Sequence, residues 1–558
     1  MTDREPTEPH LDADIAAVGE SAPHEEMDRA PRAGRLARST ALFSLATAAS
    51  RIAGLVREIV AASYFGVSGA MSAFTAAFLV PNLVRSLFAD AALQAAFVPV
   101  FTELLEKGQR REAFRVASTM VFLVTLILGA LTALFILLAP AVMPLTVPGF
   151  DDNESLQDLT VTLSRILFPI LVLLGLTGIV VGILNSYDRF GAFAISPFFW
   201  NVAIIAVLVA LVPAFSEEDE IYAYAIGVLV GTLIQLAIPV WDLRHTPYGT
   251  RRALLATFRV SRSDWRDSNV RRVLLLMLPV TISLGLINLN LLVNVIFGSL
   301  VSENAPAAID KAFRIYMLPQ GIFSVAIATV LFPTLARYAA RNDHGGLRST
   351  MANGMRQILL LLVPAAAAIL VLSEPMTRLI YERGVFDEAS TELVSEALFW
   401  FAFSLPFNGL FLLLTRTFFS LQRPWLPTAI SVANLVVTAG VAALLYKPHG
   451  VGGIVAATGI ATIASVFAQA ILLRRHLGRL ELGRLIWSGS RILLSSAALA
   501  GVAWVVWDAL DGELGRGLGG QIAALGIALL AGLAVYVAAV LALRVPEARQ
   551  ALNVVRRR

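Results

Sequence analysis

No cysteine occurs anywhere in the chain. Disulfide frameworks, thiolate nucleophiles and cysteine metal sites are therefore excluded. Histidine is nearly as scarce: the six are His10, His24, His245, His344, His449 and His476, all in stretches that read as tail or loop. A buried histidine relay or histidine metal cluster has nothing to be built from. Charge is the third shortage. Asp, Glu, Lys and Arg make up 15% of the residues, where a soluble protein carries about 25%. There is no Walker loop, HExxH pair or nucleophile elbow, so nucleotide hydrolysis and hydrolase chemistry have no motif here. The chain reads as a non-enzyme without a cofactor.

What is abundant is hydrocarbon. Hydrophobic residues account for 57% of the chain, and the mean hydropathy is +0.73. The apolar runs are about 20 residues long, enough to cross a membrane as a helix, and lack the ten-residue alternation of barrel strands. The expected class is an all-α integral membrane protein. The net charge of +4 resides in short basic loops, a topology signal rather than a nucleic-acid one.

Fourteen transmembrane helices are expected, near 40–65, 70–101, 114–141, 159–185, 193–214, 222–241, 273–298, 307–336, 355–373, 393–420, 427–446, 451–473, 487–508 and 520–543. Alternate loops are basic, as in the run of arginines from Arg244 to Arg272, whereas the others are acidic, as in Asp151-Asp152-Asn153-Glu154 and Glu217-Glu218-Asp219-Glu220. The excess of Lys and Arg marks the cytoplasmic side. Both termini are therefore expected inside, in a multi-pass protein of a bacterial cytoplasmic membrane. Residues 1–38 are polar and aperiodic and read as a disordered cytoplasmic tail.

A faint internal repeat runs through the spans. Residues 87–103 resemble 322–337, and 183–196 resemble 417–431. The predicted organisation is two six-helix lobes in parallel repeat plus two extra C-terminal helices. Their boundaries are an N-lobe at 39–241, a basic cytoplasmic linker at 242–272, a C-lobe at 273–474, the last two spans at 475–545, and a basic tail at 546–558. Transporters with repeats so arranged place their site between the halves. Spans 13 and 14 lie outside the repeat and read either as a groove for a lipid tail or as a hairpin that seals the bundle.

Charges inside the apolar runs point to that site. Arg51, Arg57 and Glu58 fall in span 1, Arg85 and Asp90 in span 2, and Asp310 and Arg314 in span 8. Each costs about 2.5–3.5 kcal/mol at the bilayer centre and is tolerated facing a bundle interior or wet cavity. Arg51 and Glu58 share a helical stripe but stand roughly 10 Å apart along the axis, too far to pair. They read as an unpaired set open to a ligand. Asp310 and Arg314, four apart, form either a local pair or part of the cavity wall. Asn288, Asn290 and Asn294 in span 7 read as packing glue between helices. Gly54, Pro81, Pro319 and Gly321 interrupt the same spans and read as gating bends or ordinary kinks. Arginines outnumber acids in this set, and their forks match phosphate oxygens in pairs, so a phosphorylated anion is the expected ligand.

Several of these stretches resemble the MurJ/MviN lipid II flippases of the MOP exporter superfamily. They are Ser50-Arg51-Ile-Ala-Gly54-Leu-Val-Arg57-Glu58, Phe65-Gly66, and Pro81-Asn82-Leu83-Val-Arg85 through Asp90 to Pro99, with Arg314 to Gly321 and Glu382-Arg383-Gly384-Val-Phe386. The resemblance covers roughly 39–545. It implies a fourteen-helix transporter that flips undecaprenyl-pyrophosphate-linked peptidoglycan precursor by alternating access. It also implies essential arginines at Arg51, Arg57, Arg85 and Arg314. Glu58 and Asp90 complete the expected substrate-binding set. Membrane lipids and the cell-wall synthesis machinery are the other partners implied; nucleic acid is not. The chain departs from the resemblance at Ser72, where many members have an acidic residue, and spans 7 and 11 carry no acid of the kind a sodium site uses. Two rival functions stand beside this one: export of a drug or another polyprenyl-linked sugar, and a non-transporting cell-wall scaffold.

Overall fold

The computed structural model describes the backbone of residues 45–88, 91–256, 267–478 and 482–549, and the side chains of all these except 85–88, 91–95, 278–288 and 482. Every regular element among the described residues is helical. Helix α1 spans 45–65. It is followed by α2 (Gly69–Phe88), α3 (Ala91–Glu106), α4 (Arg110–Thr146), α5 (Glu154–Leu167), α6 (Ile170–Asn185), α7 (Gly191–Leu211) and α8 (Ile221–Asp242). A short helix, α9 (Thr250–Ala256), precedes α10 (Ser268–Val301), α11 (Ala305–Pro319) and α12 (Val325–Ala340). The remainder are α13 (His344–Tyr381), α14 (Glu388–Ser420), α15 (Trp425–Leu477), α16 (Leu482–Leu514) and α17 (Leu518–Ala542). Among the described residues, ten helices are long and apolar enough to cross a membrane.

Local chemistry fixes the starts of several helices. Side-chain oxygens of Asn153, Asp267, Asp343 and Asp387 accept backbone N–H groups at the first turns of α5, α10, α13 and α14, which supplies partners for donors a helix start leaves orphaned. Helix α15 has 53 residues; straight, it would be about 80 Å long, more than twice a hydrocarbon core. Gly450 breaks it with φ 53° and ψ −135°, a conformation that costs a glycine little. Between α11 and α12 the backbone forms a π-helical turn at Gln320–Ser324, immediately after Pro319. Of the four predicted breakers, only Pro319 and Gly321 meet irregular backbone: α1 runs through Gly54 and α2 through Pro81 without interruption.

Helix α10 packs along α15, α3 and α2, and thus joins the two halves of the chain. Asn290 Nδ2 donates to Asn434 Oδ1 at 2.9 Å, Asn434 Nδ2 donates to Ser465 Oγ at 3.0 Å, and Thr458 Oγ1 donates to Asn294 Oδ1 at 3.2 Å. The first and third of these join α10 to α15, as the packing-glue reading expects, and the second ties together the two parts of α15 on either side of Gly450; the Asn288 side chain lies outside the described ones. At one end of the bundle the halves meet in a tight seam. Val385 N donates to Ser63 O at 3.0 Å, Gly149 N to Ser299 Oγ at 3.2 Å, and Asn153 Nδ2 to Glu303 Oε1 at 3.0 Å. Ala307 N donates to the fully buried Ser72 Oγ at 3.1 Å. The Ser72 hydroxyl thus satisfies an N–H in the first turn of α11 from across the seam. At Gly384 a Cβ would lie 2.1 Å from Ser63 O.

Helices α16 and α17 pack on each other, and α16 lies along α13. Arg378, expected in a loop, is instead buried in α13, where it pairs with Asp511 of α16 and lies 5.7 Å from the Trp507 ring. The predicted span stops at 373, ahead of Glu374 and Arg378, whereas the helix continues through both because the Arg378 charge has a partner. Toward the opposite end of α13, Arg356 Nε pairs with the buried Glu547 at 2.5 Å, and Ser488 Oγ donates to the same carboxylate at 2.8 Å.

Candidate functional site

A cavity of about 660 Å³ lies where α1, α2, α10 and α11 meet beneath the seam. Its wall is mostly apolar, with Phe74, Phe78, Phe313 and Tyr224 among the lining side chains; the Phe74 and Tyr224 rings stack at 4.3 Å. Into this wall α1 projects Arg51, Arg57 and Glu58, and α11 projects Asp310 and Arg314. Of the wall residues away from the seam, Ile52 is 65% and Ile322 55% exposed, so the cavity is open on that side. No described residue of α16 or α17 lines it.

Glu58 sits at the centre of the charges and is 4% exposed. Its Oε1 accepts from Arg57 Nη2 at 2.5 Å and stands 3.1 Å from Arg314 Nη1. Its Oε2 accepts from Lys311 Nζ at 3.0 Å. The expectation that Glu58 is unpaired is therefore corrected: it is shared by three cations. Sequence spacing tests only partners on the same helix, and two of these come from α11. Arg314 Nε also donates to Asp310 Oδ2 at 2.9 Å, so the local pair and the cavity-wall readings of Asp310 hold together.

Arg57 is stacked 4.6 Å over the Trp200 ring, and its Nε is buried without a hydrogen-bond partner. Arg51 is exposed and makes no hydrogen bond or ion pair among the described residues. A Cβ on Gly321 would stand 3.9 Å from Arg51 Nη1, which places the π-helical turn opposite this guanidinium. Gly54 packs against Asn201 of α7, whose Nδ2 donates to Pro197 O at 2.9 Å. Arg85 belongs to α2, but its side chain lies outside the described ones, and Asp90 lies outside the described residues. Lys311 is the residue that sequence reasoning missed. Adjacent to Asp310, it reads as part of a local charge cluster, yet one helical step turns it about 100° away from its neighbour and into full burial.

Arginine forks in a low-dielectric cavity, one of them with an orphaned donor, suit an anion with several oxygen acceptors. A family model described as "Lipid II flippase MurJ" matches residues 61–517. The chain belongs to the lipid II flippase MurJ family. Among MurJ relatives, the "Probable lipid II flippase MurJ" of Rhizobium meliloti (strain 1021) is 34% identical over 85% of this chain and 87% of its own length. The "Lipid II flippase MurJ" of Burkholderia cenocepacia is 30% identical over 70% of this chain and 75% of its own. A solved MurJ in an inward closed conformation superposes with a TM-score of 0.72 at 23% identity, covering 89% of this chain and 97% of that one. A multidrug resistance MATE family transporter of the MOP superfamily, in an inward-facing conformation, gives 0.62 at 15% identity over 77% and 95%. These two likenesses concern the fold.

Proposed function

We propose that this protein flips lipid II from the inner to the outer leaflet of the bacterial cytoplasmic membrane. The orphaned, buried Nε of Arg57 carries the reading. A buried donor without a partner costs about 1–3 kcal/mol, and a ligand that supplies the acceptor recovers it. The pyrophosphate of lipid II offers such oxygens. Arg51, Arg57 and Arg314 bind it, joined by Arg85, while Glu58 holds Arg57 and Arg314 together against their mutual repulsion until the substrate arrives.

The same helices support a count of fourteen crossings. The break at Gly450 makes α15 two spans, α2 with α3 and α11 with α12 each make one, and α1 and α10 complete the number. With basic loops inside, both termini are cytoplasmic, the seam is at the outer end, and the cavity is accessible from the inner side. The two halves then form parallel lobes whose relative rocking, with bending at Pro319 and Gly321, exchanges access. Delivery to the outer leaflet brings the substrate to the cell-wall synthesis machinery.

The test is reconstitution in liposomes with fluorescent lipid II on one leaflet. Wild-type protein is expected to expose the label to an external quencher, and Arg57→Ala, present at equal density, to slow this at least about tenfold. Unchanged flipping by Arg57→Ala removes the arginine site; no flipping by the wild-type protein removes the function.

A further inference from the structure

Lys311 takes no part in the cavity wall, yet among the described residues it is the most deeply buried cation paired with a wall residue. Its side chain is fully enclosed, its Nζ stands 3.0 Å from Glu58 Oε2, and the Tyr381 ring lies 5.7 Å from the ammonium. Tyr381 Oη donates to the Lys311 carbonyl at 3.4 Å. A buried ammonium is costly unless paired, and here the partner is Glu58, on the other half of the chain. Asp310 is engaged with Arg314. The two oxygens of Glu58 are thereby divided: Oε1 faces Arg57 and Arg314, and Oε2 faces Lys311 behind the wall.

This division matters when an anion enters. Phosphate oxygens compete with Oε1 for the same two guanidinium groups. Once displaced, Glu58 would remain a buried carboxylate beside a phosphate, with like charges in contact. We propose that Lys311 is a positioning residue that retains Glu58 after the substrate has claimed the arginines. Lys311 thus sets the apparent affinity for the pyrophosphate without touching it. The inference rests on the lipid II reading above and adds a residue to it. Without the ammonium, Glu58 has only the arginines to hold, so it competes harder and leaves with greater difficulty.

The experiment measures flipping of fluorescent lipid II in liposomes against its concentration, for wild type, K311M, K311R, K311Q, E58Q and E58Q/K311M. K311M keeps the aliphatic stem and removes the charge; its apparent KM is expected to rise at least about tenfold, the weight of a charged hydrogen bond. K311R retains a cation and is expected to stay closer to wild type than K311M. E58Q/K311M removes the stranded carboxylate along with the ammonium, so its KM is expected to fall at least about threefold below that of K311M. A purely structural lysine would lower the amount of active protein and leave KM in place. An unchanged KM in K311M, or a double variant no better than K311M, overturns the proposal. If K311M does not fold, K311Q, which keeps a donor to Glu58 without its charge, decides in the same way: a raised KM supports the proposal and an unchanged one overturns it. Failure of the wild-type protein to flip lipid II would instead remove the functional reading itself, so the two failures are distinct.

Discussion

Replacing Gly384 by alanine tests whether the seam is a gate. In the closed arrangement a Cβ at this position would stand 2.1 Å from Ser63 O, and real Cβ contacts hold to 3.0 Å or more. The turn carrying Gly384 must therefore retreat by about 0.9 Å, the difference between those two distances. Ser63 O is also the acceptor for Val385 N at 3.0 Å, and a retreat of that size takes the pair beyond hydrogen-bond reach. One lost backbone bond destabilises the closed seam by about 1 kcal/mol, or about fivefold in the balance of closed and open states. Gly384 has φ 64°, and the strain this imposes on alanine, about 1–2 kcal/mol, falls equally on both states because the turn itself is unchanged. Only the contact across the seam discriminates between them. The chain's lack of cysteine makes the assay clean. Thr75→Cys places a single thiol in the cavity wall, and a membrane-impermeant maleimide added outside reports opening. G384A is expected to raise the labelling rate about fivefold at normal membrane levels. An unchanged rate in well-expressed protein would refute the gate.

Arg51→Ala should slow flipping about 10- to 150-fold, whereas Arg51→Lys should retain part of it, because lysine keeps charge but not the fork; a depleted strain complemented at full rate by Arg51→Ala would exclude Arg51 as a ligand. Arg378→Ala leaves Asp511 without its buried partner and should cost about 3 kcal/mol of stability, read as a lowered unfolding temperature in detergent; R378A/D511A should recover part of the loss. Asn434→Ala removes the middle of the chain from Asn290 to Ser465 and should lower stability by about 1–3 kcal/mol in the same measurement.

Charges stranded in apolar runs were the most legible feature of the sequence. Arg51, Arg57, Glu58 and Arg314 stand out because hydrocarbon gives an unpaired charge no reason to be there, and all four line one cavity. Their pairing was not legible. Glu58 finds Lys311 and Arg314 across 253 and 256 residues, and no periodicity along one helix reports which face another helix will meet. Lys311 was hidden for a related reason: beside Asp310 it resembles half of a local pair. Arg378 falls between the predicted spans 355–373 and 393–420 because hydropathy along the chain is blind to Asp511. The Pro319–Gly321 break could be anticipated from residue type, whereas Gly54 and Pro81 could not be separated from it, since α1 and α2 accommodate both without losing their helical course. The close approach of Gly384 to Ser63 left only a glycine in the sequence, which marks a permissive backbone and says nothing of its neighbour.

The burial of Glu547 has a practical bearing on how the protein is handled. Its carboxylate closes a junction with Arg356 and Ser488, five residues beyond the end of the last long helix, Leu518–Ala542. A purification handle or fluorescent reporter spliced directly after Ala542 would discard that carboxylate and leave the Arg356 guanidinium without its ion-pair partner, and the resulting poor yield would be mistaken for toxicity of the fusion. Moving the splice past Arg549 keeps the junction whole.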